Sequence, residues 1–206
     1  MYKTIEKNIS AELVEKKSKF IANIFYIESK EEAEEIIKNT NKKYHDARHN
    51  CYAYRVFNNE EIIEKSSDDG EPSGTAGAPM LTIISKNNLI NILVIVTRYF
   101  GGILLGTGGL VKAYSDVTKK ALEKAKVTNI EEGYIYEINT KYSDLENLKY
   151  FIKNNEIKIQ KEEYFEHVYL EVFVPKNKIE CLKNERLNNL ASIKRKKIEK
   201  TYMKNS

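Results

Sequence analysis

The sequence predicts an α+β chain of two domains, residues 1–131 and 132–206, and three observations carry that prediction. Runs rich in β-branched and aromatic residues alternate with helical patterns that open on capping boxes, Ser29 with Glu32 and Ser143 with Glu146. Eight of the nine glycines lie between Gly70 and Gly109, whereas the residues from 132 onward contain only Gly133. The later stretch also follows a strand and helix order of its own. A chain of 206 residues, 41% hydrophobic and 31% charged, has enough apolar material for two cores.

In the first domain, Phe20 to Ile27 reads as a strand. The Ser29 box then starts a helix that turns Ala33, Ile36 and Ile37 inward. Asn50 to Phe57 is a second strand, and Asn58-Asn59 turns the chain into another, Glu61 to Ser66. Ala76 to Ser85 forms a short helix with Pro79 in its first turn, where a missing N–H costs nothing. Ile90 to Thr97 is apolar on both faces, as a central buried strand requires. From Leu110 the period becomes 3.6, with Leu110, Tyr114, Val117, Ala121 and Ala125 on one face, giving a long helix that ends near Lys126.

In the second domain, Tyr134, Tyr136, Ile138 and Tyr142 alternate as in a strand. The Ser143 box precedes a helix bearing Leu145, Leu148, Phe151 and Ile152. Strands follow at Ile157 to Gln160 and Val168 to Val174, then a helix with Ile179, Leu182 and Leu187, then a strand from Ile193 to Ile198. The order βαββαβ is that of the ferredoxin-like split βαβ arrangement.

Composition excludes several functional classes. A net charge of +4, from 34 basic and 30 acidic residues, is too mixed to indicate nucleic-acid binding by itself. The longest apolar run, Ile92 to Val96, is far short of a membrane span, and no basic-then-apolar leader opens the chain. Cys51 and Cys181 lack the spacing of a disulfide framework or zinc site. The expectation is a cytoplasmic chain with no membrane, metal or cofactor.

Two glycine-rich segments carry the unusual chemistry. Gly101-Gly102 and Gly106-Thr107-Gly108-Gly109 join the central strand to the long helix. Free N–H groups at a helix start, approached through glycines, bind anions, and Arg98 at the strand end presents a bidentate fork. The spacing matches neither a Walker loop nor a dinucleotide fingerprint. Two readings stand: an anion site, or glycines that permit tight helix–sheet packing while Arg98 pairs with an acidic residue. The earlier segment holds Asp68, Asp69 and Glu71 beside Ser73 and Thr75. These carboxylates suit a general base or a cation, or else they cap the next helix and neutralise Arg98. An ion pair joining Arg98 to Asp68, Asp69 or Glu71 is expected.

His49 and Cys51 share a face of one strand, which fits a core cysteine beside a hydrogen-bonded histidine better than a nucleophilic pair. His45 and His167 read as surface residues, and Lys194 to Lys197 as a charged strand edge.

Taken together, Ser18-Lys19-Phe20-Ile21, Ala47 to Tyr54, Ser67 to Gly77, Val96 to Gly102, Leu105 to Val111 and Ala113-Tyr114 closely resemble the YigZ/IMPACT family. The resemblance covers about the first 130 residues; Ala78 and Lys112 stand where the family often has a basic residue and Arg. Residues 132–206 are similar to the family's bacterial C-terminal domain, itself similar to the last domain of elongation factor G. The resemblance implies a ribosomal small-subunit protein five domain two-like fold for the first domain. The second is then ferredoxin-like, of the elongation factor G domain V type.

In small-molecule kinases of the first fold a glycine-rich loop holds phosphate, which favours anion binding at Gly106 to Gly109. Eukaryotic members regulate translational control through an extra N-terminal domain. No such extension is expected for this chain, and that role is not expected to carry over. The leading expectation is a translation-related regulator that binds RNA, the ribosome or a translation factor. Its cleft would be lined by His49, Asp68, Asp69, Glu71, Arg98, Gly101 and Gly102. Its rival is an enzyme for a small phosphorylated or carboxylated substrate, with Asp69 or Glu71 as base and His49 as acid. A protein–protein interaction module is the third reading.

Overall fold

The computed structural model describes residues 2–58, 61–183, 185–195 and 201–204. The chain divides into two compact units, residues 1–130 with the last three, and residues 131–203.

The first unit is built on a five-stranded antiparallel sheet of β2 (Ile9–Glu15), β3 (Ser18–Tyr26), β4 (His49–Asn58), β5 (Glu61–Ser67) and β6 (Ile92–Tyr99). Its order is β2-β3-β6-β4-β5, so the strand that is apolar on both faces sits at the centre. Ile92, Val94 and Val96 pack with α2 (Gly77–Lys86) and α3 (Gly106–Lys124), while Leu93 and Ile95 join a second core with Ala33 of α1 (Lys30–Lys43). Ser29 caps α1 by accepting the Glu32 N–H at 3.1 Å; the Glu32 carboxylate accepts from Glu28 N rather than from Ser29. This is the α+β, ribosomal small-subunit protein five domain two-like arrangement. A short strand, β1 (Lys3–Ile5), pairs with residues 127–129 at the start of β7 (Val127–Thr140).

Neither β1 nor β2 was expected. The β2–β3 hairpin turns on Lys16 and Lys17, both with positive φ (45° and 64°), positions that hairpin sequences normally signal with Asn-Gly. The long helix also starts earlier than its apolar period indicates. Gly106 to Gly109 form its first turn, and its last residue is Lys124. Low glycine propensity hides a helix start whose register is set by the burial of Leu105 and Leu110.

In the second unit, β8 (Lys158–Tyr164), β9 (Val168–Pro175), β7 and β10 (Ala191–Arg195) lie in that order, each pair antiparallel. With α4 (Leu145–Asn154) and α5 (Glu185–Leu190) this is the ferredoxin-like fold; Leu148, Ile152, Leu170, Val172 and Leu187 form its core. Gly133 lets β9 approach, since a Cβ there would stand 2.4 Å from the Val174 carbonyl oxygen. β11 (Thr201–Lys204) also pairs with β7.

Three expectations fail here. Tyr142 belongs to a 3₁₀ turn, Tyr142–Asp144, instead of the strand, and its exposed ring stacks on Tyr164. That turn runs straight into α4, so Asp144 takes the cap position with no side-chain bond and the Ser143 box does not form. The helix expected around Ile179 to Leu187 is a 3₁₀ stretch, Lys176–Lys183, followed by α5, although Leu182 and Leu187 reach the same core. The strand expected from Ile193 to Ile198 is described as β10 up to Arg195; Lys196 to Ile198, and with them half of the basic run, lie outside the described residues. Among the described residues no helix is long and apolar enough to cross a membrane.

Candidate functional site

The acidic segment folds around Asp68. Its Oδ1 accepts the N–H groups of Ala76 (2.9 Å) and Gly77 (2.8 Å), and its Oδ2 that of Gly74 (2.8 Å). A carboxylate from upstream thus satisfies the amides that open α2, where Ala76 at the cap position has no side-chain acceptor. Burial alone would raise the Asp68 carboxyl, but the three amide bonds outweigh it and hold the group below its ordinary range. Asp69, at φ 42°, accepts the Asn50 N–H at 2.7 Å, and its own carbonyl lies 2.7 Å from His49 Nδ1. Both aspartates are therefore committed to backbone amides, and neither lines the cleft described below. Among the described residues no three His, Cys, Asp or Glu are placed to hold a metal ion.

Glu71 is different. Its side chain is 3% exposed, and its Oε1 accepts from Arg98 Nη1 at 2.6 Å and from Tyr114 Oη at 2.9 Å. Strand pairing sets Arg98 opposite His49 on β4 and Phe20 on β3, which aims the guanidinium at the acidic segment. Arg98 Nη2 reaches Ser18 Oγ (3.4 Å), and the same hydroxyl accepts the Gly101 N–H at 3.2 Å. The guanidinium carbon lies 5.4 Å from the Phe20 ring and 5.7 Å from that of Phe100. Its buried Nε–H has no partner among the described residues.

Cys51 Sγ sits 2.9 Å from the Asp68 carbonyl and 3.3 Å from Tyr114 Oη. Burial pushes its thiol up to about 12, aided by Glu71, Asp69 and Asp68 against a lowering bond to Tyr114. A thiol held there is a poor nucleophile. The Asp69 carbonyl can only accept, so the contact places a proton on His49 Nδ1, and Nε2 lies 3.9 Å from Glu71 Oε1.

These groups open into a cleft of about 330 Å³ in the first unit. Arg48, His49, Glu71 and Arg98 supply its polar wall; Pro72, Phe100, Leu105 and Leu110 supply the apolar one. Gly106 and Thr107, at the start of α3, complete it. Helix geometry leaves first-turn N–H groups without intrahelical partners, and the cap residue Leu105 supplies no side-chain bond to them. Arg48 lies over the partly exposed Phe100 ring at 5.6 Å.

The other expected residues fall elsewhere. Ser73, Thr75, Gly101, Gly102, Gly108 and Gly109 do not line the cleft. Thr75 bonds the Pro72 carbonyl within its own turn. Gly101 is needed because a Cβ would stand 2.0 Å from the Lys17 carbonyl carbon. Gly109 packs on Leu105, whereas a Cβ on Gly108 would meet nothing within 4 Å. His45 and His167 are exposed. Sequence reasoning overlooked Ser18, Arg48, Phe100 and the Tyr114 hydroxyl as parts of the site. A tyrosine in the apolar stripe of α3 was the available signal, since a buried hydroxyl requires a partner.

Residues 16–122 match the Impact N-terminal domain, and residues 138–191 match a domain of unknown function, DUF1949. The chain belongs to the IMPACT family. IMPACT family member YvyE of Bacillus subtilis is 36% identical over 173 residues, covering 84% of this chain and 79% of the relative. IMPACT family member YigZ of Escherichia coli is 34% identical over 165 residues, 80% and 81% of the two chains. The crystal structure of a hypothetical protein, 29% identical, superposes on this IMPACT family member with a TM-score of 0.68. It covers 95% of this chain and 97% of its own.

Proposed function

We propose that this IMPACT family member is a cytoplasmic, translation-linked regulator that engages RNA, free or on the ribosome, through the cleft between its two glycine-rich segments. One observation carries the reading: Arg48 lies over the partly exposed Phe100 ring beside the start of α3, whose Leu105 cap makes no side-chain bond. A cation, a stacking ring and unpaired amides at one mouth suit a phosphate backbone with unpaired bases. Membership of the IMPACT family, and a second unit similar to the last domain of elongation factor G, support it. The test is retention of RNA or ribosomes across a salt series. Binding at low salt should fall log-linearly with salt, with a slope of about −0.7 per phosphate contacted for a single strand. No retention at low salt overturns the reading.

A second reading, an enzyme for a small phosphorylated or carboxylated substrate, has one observation in its favour. The His49 ring is fixed by the Asp69 carbonyl with Nε2 facing Glu71 inside the cleft. Under that reading His49→Gln abolishes turnover of such a substrate while the melting temperature holds.

A further inference from the structure

The cleft offers both donors and acceptors, and this mixture narrows what fits it. Arg48 and the amides of Gly106 and Thr107 are donors, and the Arg98 guanidinium, more than nine-tenths buried, lines the same cleft. Acceptors stand beside them. Glu71 Oε1 is saturated by Arg98 and Tyr114, but Oε2 takes no bond from any described residue, and His49 Nε2 is the ring nitrogen left once Nδ1 meets the Asp69 carbonyl. The Arg98 and Glu71 charges cancel as a pair, so Arg48 and the α3 start give the cleft its sign.

A bare inorganic anion would satisfy the donors and leave Glu71 Oε2 and His49 Nε2 unmatched. An apolar peptide side chain would satisfy neither set. A volume of about 330 Å³ holds one small molecule and excludes a duplex or a folded helix. Arg48 over the Phe100 ring adds a cation and an aromatic surface to the lining, the type of surface on which an unstacked base lies.

We propose that the cleft binds a single unpaired nucleotide. Its phosphate meets Arg48 and the Gly106–Thr107 amides, its base lies on the Arg48–Phe100 pair, and base or ribose N–H and O–H groups donate to Glu71 Oε2 and His49 Nε2. The inference rests on the RNA reading above and specifies which part of an RNA is held.

The test is fluorescence anisotropy at low salt with the full chain and three probes: a labelled single-stranded RNA, the same sequence as a blunt duplex, and a nucleoside monophosphate as competitor. The single strand should bind about tenfold or more tightly than the duplex and be displaced by the monophosphate. Arg48→Ala and Phe100→Ala change partly or fully exposed side chains. Each should weaken binding about tenfold at an unchanged melting temperature. If the single strand binds but both variants match the parent and the monophosphate does not compete, the nucleotide site is refuted while RNA binding stands. If the monophosphate binds and no RNA does, RNA binding falls and the nucleotide site stands. Displacement by inorganic phosphate or an acidic peptide as effective as by the monophosphate also overturns the proposal.

Discussion

Arg98 Nη1 donates to Glu71 Oε1 at 2.6 Å, joining the two glycine-rich segments through an ion pair whose side chains are 6% and 3% exposed. Twenty-seven residues separate the partners, and the pairing of β6 with β3 and β4 aligns them.

Breaking this pair from one side should be costly. Arg98→Met leaves the Glu71 carboxylate buried with only Tyr114 to donate, a loss of about 3–5 kcal/mol. Adding Glu71→Gln removes the stranded charge and should recover part of that loss. Urea denaturation of both single variants and the double variant measures the coupling; strictly additive losses would refute it.

The two cysteines should differ in reactivity toward a thiol reagent. Cys51 is fully buried with its thiol pushed up to about 12, whereas Cys181 is partly exposed. Native protein should therefore spare Cys51 from alkylation until it unfolds, as peptide mapping by mass spectrometry will show.

Asp68 predicts a specific response to acid. Its carboxyl titrates lower in the folded chain, so the unfolded chain takes up that proton first as pH falls. The stabilisation is complete above the ordinary carboxylate value of about 4 and is lost as pH drops through the lower folded value. Asp68→Ala should cost about 1–2 kcal/mol at neutral pH, as a lost cap does. The gap in melting temperature from the parent should narrow toward acid; a gap constant with pH would contradict the assignment.

Two glycines should respond to alanine with opposite signs. Gly101→Ala drives a methyl into the Lys17 backbone and should destabilise the fold by about 1–3 kcal/mol. Gly108→Ala adds a methyl in open space within a helix and should stabilise it by about 0.5–1 kcal/mol. Denaturant midpoints distinguish the two directions.

Where local chemistry decides the structure, the residues announce it. The 3.6 period of α3, the doubly apolar β6 and the Ser29 cap could all be read before any coordinates. The hairpin at Lys16-Lys17 could not, because lysine carries no preference for the positive φ it adopts there. At Ser143 the box residues are present, but the 3₁₀ turn moves the helix start past them. Within the site, an ion pair to Arg98 was expected, but three carboxylates stand within four residues. Strand pairing and the Tyr114 hydroxyl select Glu71, and both are long-range. The cleft itself is a product of tertiary packing. Of the nine residues expected to bind an anion or ligand, Arg98, Gly106 and Thr107 reach it.

The reach of Asp68 to amides six, eight and nine residues ahead has a consequence for how this region opens. An ordinary helix frays from its first turn, residue by residue. Here the anchor of that turn lies at the end of β5, so α2 cannot loosen at its start while the acidic segment stays closed. The amides of Gly74, Ala76 and Gly77 should exchange with solvent together, in one cooperative opening shared with the acidic segment that carries their acceptor.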